Sequence, residues 1–157
     1  MEDGGPAPPA VPVVPPVLDV HLNTPLTLDP KGRITLPSRL KAQLDHVGTN
    51  VLIVVPQRDH LRIYTKADFK ASVEQPLMGL DSFDPVVERK QRLRLGLATE
   101  VSVDAQGRFV VPPNLRALAG LDRDVVLMSM AERLELWDQA RLDAWIAKAL
   151  AEEGEGA

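Results

Sequence analysis

DPKGRITLPSRL, starting at Asp29, and DAQGRFVVPPNL, starting at Asp104, are two copies of one pattern set 75 residues apart. The offset holds at Gly32 with Gly107, Arg33 with Arg108, Pro37 with Pro112 and Leu40 with Leu115. With one residue deleted in each of two loops, the match continues through 51–54 against 125–128 and 61–64 against 134–137, to Phe69 against Leu142. Similarity sustained this far is a duplication of one structural unit. It is also a strong constraint on fold, because whatever one copy adopts the other must adopt as well. The 157 residues therefore divide into two small modules.

Each copy reads as strand, hairpin turn, strand, short helix, strand, turn, strand, helix. Leu26 and Leu28 alternate with Thr27, and Ile34 and Leu36 alternate with Arg33 and Thr35, the pattern of strands with one buried face. Between them, Asp29 can accept a backbone amide, Pro30 sets the second turn position and Gly32 stands at the fourth. Asp104 to Gly107 repeats this turn without the proline. Pro37 and Pro112 stop the strands, Ser38 or Asn114 can cap a short helix, and Gly48 or Gly120 can end it. Asp84 and Pro85 open a connector helix running to about Leu95. In the last helix Asp138 can cap, while Leu142, Trp145, Ile146 and Ala149 share a face that is core or subunit interface. The predicted division is a Pro-rich disordered arm at 1–18, a first domain at 19–75, a connector with a basic helix at 76–98, a second domain at 99–149 and an acidic tail at 150–157.

Several classes of function are excluded. The chain has no cysteine, so disulfides, thiol nucleophiles and Cys-ligated metals are ruled out. His21, His46 and His60 are too scattered for a metal site and read as surface residues. Neither a phosphate loop nor a GxSxG, HExxH or GxGxxG pattern occurs, so neither a cofactor nor enzymatic activity is expected. No apolar run approaches the roughly 20 residues of a membrane span, and the start lacks the features of a signal peptide, which makes the cytoplasm the expected location.

The formal charge of −4 argues at first against a polyanionic partner, but it is unevenly spread. Residues 19–98 hold twelve Lys and Arg against nine Asp and Glu, whereas 99–149 hold six against eight. Lys31, Arg33, Arg39 and Lys41 fall in an acid-free stretch from 31 to 41, and strand parity turns Arg33 away from the buried Ile34. A cationic pair of strands can enter the major groove, where guanidinium groups reach guanine edges or phosphates. Spacing alone leaves a second reading equally open, in which Asp29 with Arg33 and Asp104 with Arg108 pair across their own turns. Gln106 and Asn114 replace Lys31 and Arg39 in the second copy, so the first should bind a polyanion more strongly. Arg89, Lys90, Arg92 and Arg94 form another cationic group on the connector, read as a solvated face with Glu88.

The duplicated DxxGR[IF]xxPxxL segments, joined by DPVVERKQRLRLGLA and followed by LELWDQARLDAW, resemble the MraZ family of bacterial transcriptional regulators, which carry two SpoVT-AbrB-like domains. The resemblance spans about residues 22 to 149. It implies a mainly β fold with short α-helices, in which tandem AbrB-like repeats form a double-split, swapped-hairpin β-barrel. Assembly into a ring of about eight or more chains is implied too. The family's D-x-x-x-R DNA-binding motif falls on Asp29 with Arg33 and on Asp104 with Arg108, Gly32 and Gly107 shaping the turns. The expected function is sequence-specific binding of double-stranded DNA at repeated boxes upstream of a cell-division and cell-wall operon, usually as a repressor located on the nucleoid. Arg33 is assigned the leading contact, Lys31 and Arg39 the next, and Lys41 and Arg108 further ones. A rival reading is an antitoxin-type interaction module whose N-terminal arm wraps a protein partner.

Overall fold

A computed structural model describes residue 18 and residues 20–156. Residues 1–17 of the arm predicted at 1–18 lie outside the described residues, but Leu18 is buried in the core, so the folded body reaches one residue into the segment assigned to the arm. In chain order, the first copy comprises β1 (Asn23–Thr27), β2 (Arg33–Thr35), α1 (Ser38–Val47), β3 (Val51–Pro56) and β4 (Leu61–Thr65). A helical run follows, with α2 (Lys66–Phe69), a π-helical turn (Lys70–Glu74) and α3 (Gln75–Met78). The connector is α4 (Pro85–Gln91) continued by a second π-helical turn (Arg92–Gly96). The second copy comprises β5 (Thr99–Ser102), β6 (Arg108–Val110), α5 (Pro113–Leu118), β7 (Asp124–Met130), β8 (Arg133–Asp138) and α6 (Gln139–Gly156).

The hairpin expectation requires correction. β1 and β2 do not pair with each other beyond the turn that joins them. β1 pairs instead with β7, and β5 pairs with β3, so each copy's first strand joins the other copy's third. β2 and β6 pair as a separate two-stranded ribbon, and the remaining strands give a six-stranded sheet in the order β1-β7-β8-β4-β3-β5. The exchange has a packing reason. It places Ile34 and Leu36 of one copy beside Phe109 and Val111 of the other in one core, together with Leu52, Leu61, Val125 and Leu136 from the large sheet. Neither copy could enclose so much apolar surface alone. β1 and β5 end the large sheet, so strand pairing among the described residues does not close it into a barrel.

The strand pairing also corrects the repeat register. β3 pairs with β5 at Leu52 and Val101, and β7 with β1 at Val125 and Leu26. Since Leu26 answers Val101, Leu52 answers Val125, one residue away from the alignment read from the sequence. Both deletions therefore fall between Leu40 and Leu52, where α5 is shorter than α1. A one-residue slip inverts the faces of a strand, and the structural register is the one that aligns the fully buried Leu52 and Val54 with Val125 and Leu127.

Helix boundaries follow the expected chemistry in part. Gly48 is the left-handed C-cap of α1, and Gly120 takes positive φ just beyond α5. Asp84 caps α4 by accepting the Val86 amide. Ser38 and Asn114 do not cap. They lie inside α1 and α5, whose N-caps are Pro37 and Pro112 without a side-chain hydrogen bond. The predicted acidic tail is not separate, because α6 continues through it to Gly156. No helix among the described residues is long and apolar enough to cross a membrane.

Candidate nucleic-acid interface

The β2–β6 ribbon sits at the centre of the site. Ile34 faces Phe109 across it, both buried, so strand alternation turns Arg33, Thr35, Arg108 and Val110 to the opposite, outer face. Arg33 opposes Val110 and Arg108 opposes Thr35, which makes the two arginines diagonal neighbours, about 7–8 Å apart at the backbone. The two motif turns flank the ribbon at opposite ends. Each is tied to the other copy: Val111 donates its amide to the Gly32 carbonyl, and Leu36 donates to the Gly107 carbonyl.

Both turns have the same internal geometry. Asp29 Oδ1 accepts the amides of Lys31 and Arg33 at 2.9 and 2.8 Å, and Oδ2 accepts Arg33 Nε at 2.6 Å. Asp104 repeats this with the amides of Gln106 and Arg108 and with Arg108 Nε at 2.9 Å. The Arg33 amide, then its side chain, hold the Asp29 carboxyl below its ordinary value, with burial acting weakly the other way. For Asp104 the Arg108 amide is again the main cause, opposed by burial and aided by the side-chain bond.

The turn-pairing alternative is therefore present in full, yet it does not consume the arginines. Each ion pair uses the inner Nε edge, and the side chains of Arg33 and Arg108 remain 41% and 43% exposed. The terminal nitrogens of Arg33 have no partner among the described residues, while one of Arg108 makes a long 3.4 Å bond to Gln106. Pairing through Nε fixes the guanidinium plane and presents its outer edge, a preorganisation suited to a planar or phosphate acceptor.

Strand exchange regroups the other candidates. The basic stretch 31–41 does not act as one cluster. A side chain at Gly107 would touch Lys41, so Lys41 attends the second turn, and Arg116, its counterpart, lies against Gly32 of the first. Arg116 and Arg123 line a recess of about 580 Å3 beside Asp29 and Pro30. Lys41 is paired to Asp45 at 2.5 Å, but Gly120 stands where Asp45 would and Arg116 lacks that partner. Lys31 is exposed at the first turn, and Arg39 is exposed on α1. The first turn thus gathers Lys31, Arg33, Arg116 and Arg123, and the second Arg108 and Lys41. By the 75-residue repeat, Arg116 corresponds to Lys41. The repeat does not reveal which turn each one serves, because that depends on the exchange.

His60 also departs from expectation. It is buried, stacked on Trp137 at 4.5 Å and bonded through Nδ1 to Asp59 at 2.8 Å. Its Nε2 lies 3.4 Å from Glu135, with no hydrogen bond between them. Glu135 accepts from Trp137 Nε1 and from Arg133. Burial raises the Glu135 pKa, but the contacts with His60, Trp137 and Arg133 outweigh it and bring the carboxyl from 4.5 down to about 2. This cluster belongs to the seam between copies, on the sheet face turned away from the shared core.

The sequence profile described as "MraZ protein, putative antitoxin-like" matches residues 23–93 and 95–155. The chain belongs to the MraZ family. Its relatives include a protein of Thioalkalivibrio sulfidiphilus, 41% identical over 77% of this chain and 79% of the relative. Others come from Nitrosospira multiformis, at 38% over 82% and 87%, and Coxiella burnetii, at 37% over 80% and 86%. Each is named "Transcriptional regulator MraZ". That is the name of a regulator, in agreement with the expectation that the chain is not an enzyme. The two matched segments fall on the two copies, each ending within a helical connector or α6, so the duplication read from the sequence is also that of the MraZ profile.

Proposed function

We propose that this MraZ-family chain is a sequence-specific DNA-binding regulator of transcription. On this reading it represses a cell-division and cell-wall operon from repeated boxes, acting in the cytoplasm on the nucleoid as a ring-like homo-oligomer of about eight or more copies. One observation carries the reading: Arg33 and Arg108 share the outer face of a two-stranded ribbon, each oriented through Nε, with the terminal nitrogens of Arg33 free and those of Arg108 holding only a long 3.4 Å bond to Gln106. A ribbon of this width fits the major groove, where the guanidinium groups meet guanine or phosphate and the exposed Val110 can touch a thymine methyl. Lys31, Arg39 and Lys41 add phosphate contacts, joined by Arg116 at the first turn. The exchange of first strands between the copies, with the ribbon as a second layer, supports the double-split arrangement that the family resemblance implies.

One ribbon offers few contacts, so several held on a ring gain by avidity when boxes recur in helical phase. The test is a titration of one box against several at two salt concentrations. Repeated boxes should bind at least 100-fold more tightly, on the order expected for linked sites, and affinity should fall steeply with salt. Equal affinity for one and several boxes would sink the ring, and salt-independent binding would sink the phosphate contacts.

The profile's antitoxin-like description keeps a second reading in view, a module that binds a protein through the N-terminal arm, residues 1–18. Deleting those residues separates the two. Loss of a protein partner with DNA affinity intact favours the interaction module, whereas intact assembly and regulation favour the DNA-binding reading.

A further inference from the structure

Helix α6 is 18 residues long but rests on its own body only near its start. Leu142 is the only buried residue among those of α6 whose side chains are described, and Trp145 touches Trp137 at 5.9 Å. Beyond that point the helix extends for roughly 15 Å at 1.5 Å per residue. Along it Trp145, Ile146 and Leu150 are exposed, Trp145 at 52% and Leu150 at 65%. With Leu142 and Ala149 they form one stripe at i, i+3, i+4, i+7 and i+8 spacing, the mark of a face built to pack. Glu152 and Glu153 follow, exposed and without an ion pair among the described residues. A solitary helical extension of this length is marginal without tertiary packing.

Elsewhere on the chain lies its complement. A groove of about 580 Å3 runs between the connector and α5, floored by Val86, Leu93, Leu97 and Leu118. Val86, Leu93 and Leu118 are each about half exposed. Arg58, Arg89, Lys90 and Arg94 rim it. None of these four makes an ion pair with a described residue; on this helix only Arg92 is paired, to Glu88. Arg94 also lines an adjoining cavity of about 200 Å3 with Arg62, whose Nε is buried without a hydrogen-bond partner. Four unpaired cations around an apolar floor call for a partner that is apolar along its face and acidic at one end.

We infer that this groove receives the outer face of α6 from a second copy of the chain. Trp145, Ile146 and Leu150 cover the floor, and Glu152 and Glu153 meet the cationic rim. Groove and helix are different surfaces, so the contact is head-to-tail. Repeated from copy to copy, such a contact propagates around a ring instead of stopping at a dimer. The inference deepens the ring assembly proposed above and rests on that reading for its closure. The connector cations, read from the sequence as a solvated face, become an assembly surface, distinct from the ribbon arginines that face DNA.

The absence of cysteine makes the test clean. Val86→Cys, Leu93→Cys and Leu118→Cys are each co-expressed with a differently tagged Leu150→Cys chain and oxidised. A disulfide needs Cα atoms within about 7 Å, so at least one groove variant should give a crosslinked pair carrying both tags. Crosslinking of Leu150→Cys chains to themselves in preference to the groove variants would mean that α6 pairs with α6, and would overturn the inference. No mixed crosslink from any of the three would overturn it too. In parallel, Glu152→Lys with Glu153→Lys should reduce the particle mass toward the 17.2 kDa chain, and adding Arg89→Glu with Lys90→Glu should restore it. An assembled particle of unchanged mass in the lysine variant, with no mixed crosslink, refutes the docking surface and leaves the ring standing. A wild-type chain that is monomeric refutes both.

Discussion

Glu135→Gln is the substitution whose effect follows most directly from the geometry. The side chain is 6% exposed and touches Trp137 Nε1 at 3.0 Å, Arg133 Nε at 2.9 Å, Arg133 Nη2 at 2.8 Å and His60 Nε2 at 3.4 Å. Its hydrogen-bond partners, Trp137 and Arg133, are all donors. Glutamine keeps the shape but offers one acceptor and one donor, so either Arg133 or Trp137 meets an N–H group and the charge opposite Arg133 is lost. Two routes give the magnitude. A carboxyl brought from 4.5 to about 2 corresponds to about 3 kcal/mol at 1.36 kcal/mol per pH unit. Removing one partner of a buried ion pair costs about 3–5 kcal/mol in general. The expected loss is therefore about 3 kcal/mol at pH 7, or about 6–12 °C in Tm for a chain of this size. Because the folded-state value lies below the ordinary one, the carboxylate's contribution is complete above pH 4.5 and disappears as pH falls toward 2. Urea melts of both proteins at pH 7, 5, 3.5 and 2.5 should show the difference shrink across that window. A difference below about 0.5 kcal/mol at pH 7, or one of constant size down to pH 2.5, would refute the charge argument, the second outcome assigning the loss to packing.

Two further outcomes are expected at the turns. Arg33→Ala removes an exposed side chain and should leave the melting curve nearly unchanged, while weakening DNA binding by roughly tenfold or more per contacted box and lowering the salt slope; an unfolded variant or undiminished affinity would contradict it. Gly32 and Gly107 have φ of +80° and +83°, so alanine at either should cost about 1–2 kcal/mol in backbone strain. They differ in what the new methyl meets, which is Arg116 Nη1 at 2.5 Å for Gly32 and Lys41 Cγ at an ordinary 3.5 Å for Gly107. Equal melting curves with the greater loss of DNA affinity in Gly32→Ala are expected. The reverse order of affinity would show that Arg116 does not serve the first turn.

Much of this molecule is legible in its residues because turn chemistry is local. Asp29 and the Gly32 amide make their hydrogen bonds within five residues, and so do Asp104 and the Gly107 amide; the caps at Asp84 and Gly48 are equally self-contained. Alternation at Arg33 and Ile34 gave the correct inner and outer faces for the same reason. Strand partnership is not local. A duplicated unit has two solutions, pairing within a copy or exchange between copies, and both present the same alternation to a reader of the sequence. The slipped register before β3 has a similar origin, since Val51, Leu52, Ile53 and Val54 are all apolar and offer no alternation to align. His60 looked like a surface residue because its partners, Glu135 and Trp137, are more than 70 positions away in the other copy.

Exchange also changes what the duplication is for. If each copy folded alone, each turn would be supported by its own helix, and a drift in one copy would affect one site only. Here Arg116 of the second copy attends the first turn and Lys41 of the first copy attends the second. The ribbon that aligns Arg33 with Arg108 exists only when both copies are folded together. The seam at His60 and Glu135 holds that arrangement from the far face of the sheet. Arg62 and Glu135 oppose each other there, at the point where the β4–β8 register reads the same from either copy. Loosening the seam should therefore reach the ribbon, although the two lie on opposite faces of the sheet. Glu135→Gln, folded at neutral pH in the cold, should hold its two arginines less firmly in register and bind repeated boxes more weakly than wild type. Undiminished binding by that folded variant would mean that the core residues Ile34 and Phe109 alone fix the ribbon.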